Sequence, residues 1–283
     1  MQQIILNGRE LSKKMEGELK EKVAILKEKS GKIPTLATII VGDDEASKTY
    51  VKMKGNACDR VGMNSIKIEL KQETSTEELL DVIYKLNDDE NIDGILLQHP
   101  VPKHIDERKC FNAIKISKDV DGVTSSGFGA MSMGEEAFCS ATPLGIITLL
   151  KYYGIEMSGK RAVVIGRSAI LGKPIAMMLL NENATVTIAH SKTKCLEKIV
   201  KDADIVVACV GKAKFVKKEW LKEGVVIVDA GYNANNVGDV DLESASSIAS
   251  AYTPVPGGVG PMTIISLIIQ TVKAFEKRTK EVI

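Results

Sequence analysis

Short apolar runs rich in β-branched residues recur along the chain at 35–41, 64–70, 94–97, 161–165, 185–189, 205–209, 225–228 and 247–251, and helical patterns separate most of them. Two parallel strands can be joined only by a crossover of a dozen or more residues, and a helix is the usual crossover. The alternation therefore specifies an α/β fold with mainly parallel sheets. Helices are expected at 9–29, 46–61, 76–86, 143–153 and 262–277, the third capped by Ser75 or Thr76. Residues 124–139, rich in Gly, Ser and Met and without periodicity, read as a connection between two domains. The last helix is expected to return to the first domain, giving one domain of 1–140 plus 262–283 and a second of 141–261.

A length of 283 residues accommodates two modest domains. With 44% hydrophobic and 27% charged residues, the composition is that of a soluble globular protein. A net charge of +1 provides no field for nucleic acid or an anionic membrane. No apolar run is expected to reach bilayer length, and the first residues lack the basic segment and apolar core of a signal peptide. A cytoplasmic protein without nucleic-acid or membrane partners is expected. The five cysteines, 58, 110, 139, 195 and 209, are odd in number and widely spaced, so they read as reduced. Histidines 99, 104 and 190 show no ligand spacing, and no metal is expected.

The second half opens with Val163-Val-Ile-Gly-Arg-Ser-Ala-Ile-Leu-Gly-Lys-Pro174, a strand, a turn at Gly166, and a helix near Gly172. Such a helix N-terminus can meet a pyrophosphate. Ser168 stands where a dinucleotide fingerprint has its second glycine, so a plain strand-to-helix turn remains open. The following strand ends in Ala189-His-Ser-Lys-Thr193 rather than in the acid that binds a ribose diol. Ser191, Lys192 and Arg167 suit a 2′-phosphate, which favours NADP over NAD; an exposed Lys192 reads equally as a solvated side chain.

In the first half, Tyr50 and Lys54 lie four apart on one helix face, where a half-buried ring beside a snorkelling lysine is the bland alternative. Gln98 follows an apolar strand directly, and Asp119 and Asp121 flank a turn before Gly122. Each has a local backbone role as its alternative. Near the C-terminus, Thr253-Pro-Val-Pro-Gly-Gly-Val-Gly-Pro-Met-Thr263 is stiffened by prolines and leaves peptide groups uncovered at Gly257, Gly258 and Gly260. It suits a flat ligand pressed against main chain, or an elaborate helix entry with Pro261 in the first turn.

Taken in order, Tyr50-Val-Lys-Met-Lys54, Gln98-His-Pro-Val-Pro102, Lys118-Asp-Val-Asp-Gly122, Thr142-Pro-Leu-Gly145, Gly166-Arg-Ser168 with Gly172-Lys-Pro174, and Pro254 to Thr263 resemble the bifunctional methylenetetrahydrofolate dehydrogenase/methenyltetrahydrofolate cyclohydrolase family. Two departures stand out: His99 where the family more often has Leu, and Ser140-Ala141 where Pro or Cys is frequent. The resemblance implies two α/β domains flanking a cleft, the second a Rossmann-like NADP-binding domain, and a homodimer. It implies oxidation of 5,10-methylenetetrahydrofolate with NADP, then hydrolysis of the methenyl cation to 10-formyltetrahydrofolate. The catalytic set it implies is Lys54, Tyr50, Gln98 and Asp121, with folate contacts from Tyr50, Val51, Lys52, Met53, Lys54, Gln98, His99, Pro100, Asp121, Pro256, Gly257 and Gly258. Gly166, Arg167, Ser168, Gly172, Ser191 and Tyr232 are implied for the cofactor, and Asp119 is left structural. On this view Gly257→Val weakens folate binding with the fold largely intact. A Rossmann dehydrogenase of another substrate class, such as a shikimate-type enzyme, and a non-catalytic folate- or nucleotide-binding module are the alternatives.

Overall fold

The computed structural model describes residues 3–280; Met1, Gln2 and residues 281–283, which the expected domain boundaries include, lie outside them. In chain order the elements are β1 (Ile4–Ile5), α1 (Gly8–Ser30), β2 (Thr35–Val41), α2 (Glu45–Val61), β3 (Asn64–Leu70), α3 (Thr76–Asp88), β4 (Gly94–Leu97), α4 (Glu107–Ala113), α5 (Ser125–Ser132), α6 (Ala141–Tyr152), β5 (Arg161–Ile165), α7 (Gly172–Asn181), β6 (Thr185–Ala189), α8 (Leu196–Val200), β7 (Ile205–Ala208), β8 (Val226–Asp229), α9 (Leu242–Ala245), β9 (Ala251–Tyr252) and α10 (Val259–Lys280). They make two compact units, one of residues 13–141 and 264–280, the other of 3–12 and 142–263.

The first unit holds a parallel sheet of order β3-β2-β4. Its central strand β2, Thr-Leu-Ala-Thr-Ile-Ile-Val, is buried at every position, as a strand covered on both faces must be. Asp44 caps α2 by accepting from Ser47 N at 2.7 Å, and Gly62, at φ 80°, ends it in the left-handed region. Ser75, one of the two expected candidates, caps α3 in a reciprocal box with Glu78.

Residues 124–139, expected to connect two domains, lie within the first unit and include a helix. Asp119 accepts from Val123 N at 3.0 Å and Thr124 N at 2.9 Å, Thr124 Oγ1 accepts from Gly127 N at 3.0 Å, and α5 follows. Glycines hid this helix because its start is set by side-chain caps rather than by periodicity. The end of α10 packs in the same unit. Gln270 Nε2 donates to Val120 O at 2.7 Å and Cys139 O at 2.8 Å, and Arg278 Nε donates to Asp93 at 2.8 Å. Residues Val259–Thr279 of this helix are long and apolar enough to cross a bilayer by length and composition, contrary to expectation. Sixty-seven per cent of that window is buried, so protein packing accounts for its apolarity.

The second unit holds a sheet of order β1-β9-β8-β7-β5-β6, parallel at every pairing. The expected boundary placed the N-terminus in the other domain; instead Ile4 pairs with Ala251, so residues 3–12 belong here. The last strand is Ala251–Tyr252 rather than 247–251, because residues 246–248 turn as a short 3-10 helix. From β5 the chain runs out to β6 on one side and then to β7 on the other. The order thus reverses at the carboxyl ends of β5 and β7, where open α/β sheets bind ligands.

Candidate active site

The buried stripe of α2 is Ser47, Val51, Lys54, Ala57, Cys58 and Val61, so Lys54 is an amine in an otherwise small or apolar row. It does not snorkel. It is 8% exposed, and its Nζ donates to Gln98 Oε1 at 3.0 Å. Gln98 extends the β4 ladder, its N bonded to Ile39 O at 2.8 Å, and its Nε2 donates to His99 O at 2.7 Å. That second bond fixes the amide orientation, because only Oε1 is left to face the lysine.

Burial lowers the Lys54 pKa, and the charge of Asp121 opposes this in part. Asp121 is half-buried, and its carboxyl is pushed up to about 6 by desolvation, with Lys54 pulling it back and Asp119 adding to the rise. Among the described residues, none donates a hydrogen bond to the Asp121 side chain, so its lone pairs remain open to a ligand with N–H groups. Asp119 is spent on the turn, and Lys118 Nζ on the carbonyls of Leu86 and Asp89 at 2.9 and 2.7 Å.

Lys54, Gln98 and Asp121 therefore converge, and Tyr50 sits one turn before Lys54. Of the other expected folate contacts, Val51 is buried in the core, while Lys52 and Met53 lie on the exposed face of α2. Val51 shares the buried stripe with Lys54, whereas the helix turns Lys52 and Met53 away from it. His99 and Pro100 are exposed beside it, and His99 Nδ1 meets Glu107 Oε1 at 2.6 Å. Burial pushes Glu107 up, but the bond and charge of His99 outweigh it and the net pKa is lowered.

In the second unit a cavity of about 240 Å³ opens at the carboxyl ends of β5, β6 and β7, lined in part by Gly166, Arg167, His190, Ser191, Lys212 and Phe215. No carboxylate lines it. Gly166 has φ 138°, and a Cβ there would overlap the carbonyl of Cys209, so glycine is required. A Cβ on Gly172 would stand 2.5 Å from Gly166 O. Ser168 Oγ accepts from Gly172 N at 3.2 Å and its carbonyl accepts from Lys173 N at 3.0 Å. The amides expected to face a pyrophosphate are thus partly used inside the turn, and positive side chains must carry more of the anion binding. Tyr232 is 60% exposed on the loop after β8, donates to Asn236 Oδ1 at 3.1 Å, and is not among the cavity-lining residues.

The proline- and glycine-rich loop lies in this unit too. Gly258 N donates to Pro254 O at 2.8 Å, Gly257 O accepts from Arg9 N at 2.8 Å, and Pro256 is exposed. A Cβ on Gly258 would stand 2.7 Å from Pro254 O. At Gly258, then, glycine serves the chain's own tight turn rather than leaving an open amide.

Two domain families match almost end to end: the tetrahydrofolate dehydrogenase/cyclohydrolase catalytic domain over residues 6–121 and its NAD(P)-binding domain over 140–279. The chain belongs to the tetrahydrofolate dehydrogenase/cyclohydrolase family. Within that family, it is 62% identical to the bifunctional protein FolD of Acinetobacter baumannii over 277 residues, 97% of this chain and 98% of that one. The crystal structure of the bifunctional FolD enzyme from Campylobacter jejuni has TM-score 0.96 at 45% identity, covering 98% of this chain and 100% of that one. The family member from Trypanosoma brucei, solved with NADP cofactor and an inhibitor, has TM-score 0.94 at 36% identity over 97% and 98% of the two chains.

Sequence reasoning overlooked Glu107, His190, Lys212 and the buried carboxylates Asp229 and Asp239 of the family's second domain. A signal was present for Asp229, an acid closing the apolar run Val226-Ile-Val-Asp229.

Proposed function

We propose that this chain oxidises 5,10-methylenetetrahydrofolate to the 5,10-methenyl cation with NADP, and opens that cation with water to 10-formyltetrahydrofolate. The observation that carries this is a buried amine, Lys54, bonded to a fixed amide, Gln98, with the raised-pKa carboxyl of Asp121 close enough to couple to it. Full-length similarity to bifunctional relatives supports both activities.

Oxidation leaves positive charge spread over N5, the bridging carbon and N10 of the folate. A cation beside Lys54 adds like-charge repulsion to the burial that already favours the neutral amine. Neutral Lys54 can accept a proton from the attacking water and Gln98 Oε1 holds Nζ on line, a general-base role. Asp121 accepts hydrogen bonds from the pterin's amino and ring N–H groups and so sets the reacting carbon in place. Tyr50 stacks on a folate ring. His99 and Pro100 border the same ligand, and Pro256, Gly257 and Gly258 keep a folate role on the family resemblance.

The acid-free cavity with Arg167, Ser191, His190 and Lys212 fits a phosphorylated dinucleotide, with Gly166, Gly172 and Ser168 shaping its turn. Bound NADP supplies the hydride acceptor. Tyr232 would border the cofactor only as part of this family reading. A homodimer in the cytoplasm, without nucleic-acid or membrane partners, completes the proposal; the near-zero net charge and the family resemblance support it.

Absorbance assays test it directly. NADPH should form when methylenetetrahydrofolate and NADP are supplied, and methenyl absorbance should decay faster than in buffer. Binding of both ligands without turnover would leave only a binding module.

A further inference from the structure

The loop after β7 is built around a carboxylate. Asp239 is fully buried and accepts from Val210 N at 2.6 Å, Gly211 N at 2.9 Å, Lys212 N at 2.8 Å and Asn233 Nδ2 at 3.0 Å. Three successive main-chain N–H groups converging on one point form an anion-binding nest. Here the chain's own acid fills it. A second buried acid, Asp229, accepts from Gly231 N, Asp239 N and Val240 N, each at 2.9 Å, and so holds Asp239 in turn. The two interlock: a Cβ on Gly231 would overlap the Asp239 carboxyl, and one on Gly238 would overlap that of Asp229.

Val210 and Lys212 of this loop line the cavity that Arg167 and Ser191 also line. Nearby lysines are neutralised: Lys214 meets Glu243 at 2.8 Å and Lys217 meets Asp241 at 3.5 Å. Lys212 makes no ion pair among the described residues, and its Nζ lies 5.6 Å from the centre of the Phe215 ring on the cavity wall. With the loop amides occupied by Asp239, a cofactor phosphate there needs side-chain cations.

We propose that Asp239 is a positioning residue of the cofactor site: by gathering the main-chain N–H groups of residues 210–212 it holds Lys212 beside Arg167 and Ser191, where the ammonium pairs with a phosphate of the dinucleotide. This rests on the cofactor reading of the cavity. Lys212 touches the ligand, whereas Asp239 acts only through the loop.

Equilibrium titration with NADP and with NAD, on the full chain, tests it without depending on turnover. Lys212→Met, a change at an exposed side chain, should raise the NADP Kd about ten-fold. A loss confined to NADP assigns the contact to the 2′-phosphate, and an equal loss with NAD assigns it to the pyrophosphate. Asp239→Asn, which places amide hydrogens against backbone donors, should raise the NADP Kd at least as much. Its hydrolysis of methenyltetrahydrofolate without NADP should stay within about two-fold of wild type. Unchanged NADP affinity in Lys212→Met overturns the proposal, and it decides alone if Asp239→Asn does not fold. Equal losses of NADP binding and hydrolysis in a folded Asp239→Asn would reduce Asp239 to a purely structural acid. A wild-type chain that binds neither nucleotide would instead remove the cofactor reading itself.

Discussion

Lys54 Nζ donates to Gln98 Oε1 at 3.0 Å, and Gln98 Nε2 donates to His99 O at 2.7 Å, so a strand-end amide locks the position of an amine that burial drives toward neutrality. The first bond joins residues 44 positions apart. The pair exists because α2 packs against β2 and β3, β4 pairs with β2, and Gln98 is the first residue past the β4 run.

Lys54→Met should abolish the hydrolase, with a loss of about 10³-fold in kcat, the usual scale for removing a general base. Folate binding should survive, since the substitution keeps the stem. The wild-type rate should fall on the acid side of its profile with an apparent pKa below the ordinary lysine value, because burial lowers it. Stopped-flow decay of methenyl absorbance across pH reads both; a variant hydrolysing at the normal rate would take Lys54 out of the mechanism.

Asp121 makes a different pH signature. Its carboxyl is raised to about 6, mainly by desolvation, so the acceptor form appears only as pH rises through that value. Folate affinity should therefore improve between about pH 5 and 7, and Asp121→Asn should flatten that dependence while raising KM about ten-fold. For the fold the sign is opposite. A folded pKa above the unfolded one favours the folded state at acid pH, and that stability is lost as pH rises from the ordinary aspartate range through about 6. Asp121→Asn should thus be more stable than wild type above pH 6, measurable by urea titration at two pH values.

Much of this was legible in the residues. β2, β3, β4, β5 and β6 fall on the apolar runs that the sequence displays, and Ser75 marks a helix start by its own chemistry. Lys54 was ambiguous because a lysine four after a tyrosine looks the same whether it snorkels or is buried, and only the distant Gln98 decides. α5 was hidden because its start depends on Asp119 and Thr124 holding backbone amides. β1 was missed because two residues carry no periodicity, and their partner β9 is almost 250 positions away. The Asp239 nest depends on contacts across 27–29 residues, which no local pattern displays.

The return of α10 to the first unit is anchored by Arg278, whose Nε donates to Asp93 at 2.8 Å, while Asp93 Oδ2 accepts from Thr35 N at 2.9 Å. The Asp93 side chain has no exposure, and burial raises its pKa. Arg278→Met would leave an uncompensated buried charge and should cost about 2 kcal/mol, less than a wholly buried pair because the arginine is 24% exposed. Asp93→Asn in the same chain should recover part of that loss, and urea unfolding of the single and double variants measures the coupling.

Gly257 separates backbone strain from ligand contact. Its φ of 108° lies where L side chains rarely go, although the nearest atoms to an added Cβ, those of the Arg9 guanidinium, are 3.9 Å away. Space is available but the conformation is not. The sequence-based expectation that Gly257→Val leaves the fold intact is therefore corrected: it should destabilise the chain by about 1–2 kcal/mol through strain alone. A D-alanine introduced at 257 by chemical ligation adopts positive φ without that strain and still adds a methyl group. If the loop's main chain lies against a flat ring, this substitution should keep the wild-type melting temperature yet weaken folate binding. Full folate affinity with a wild-type melt would mean that the residue serves the turn and nothing else.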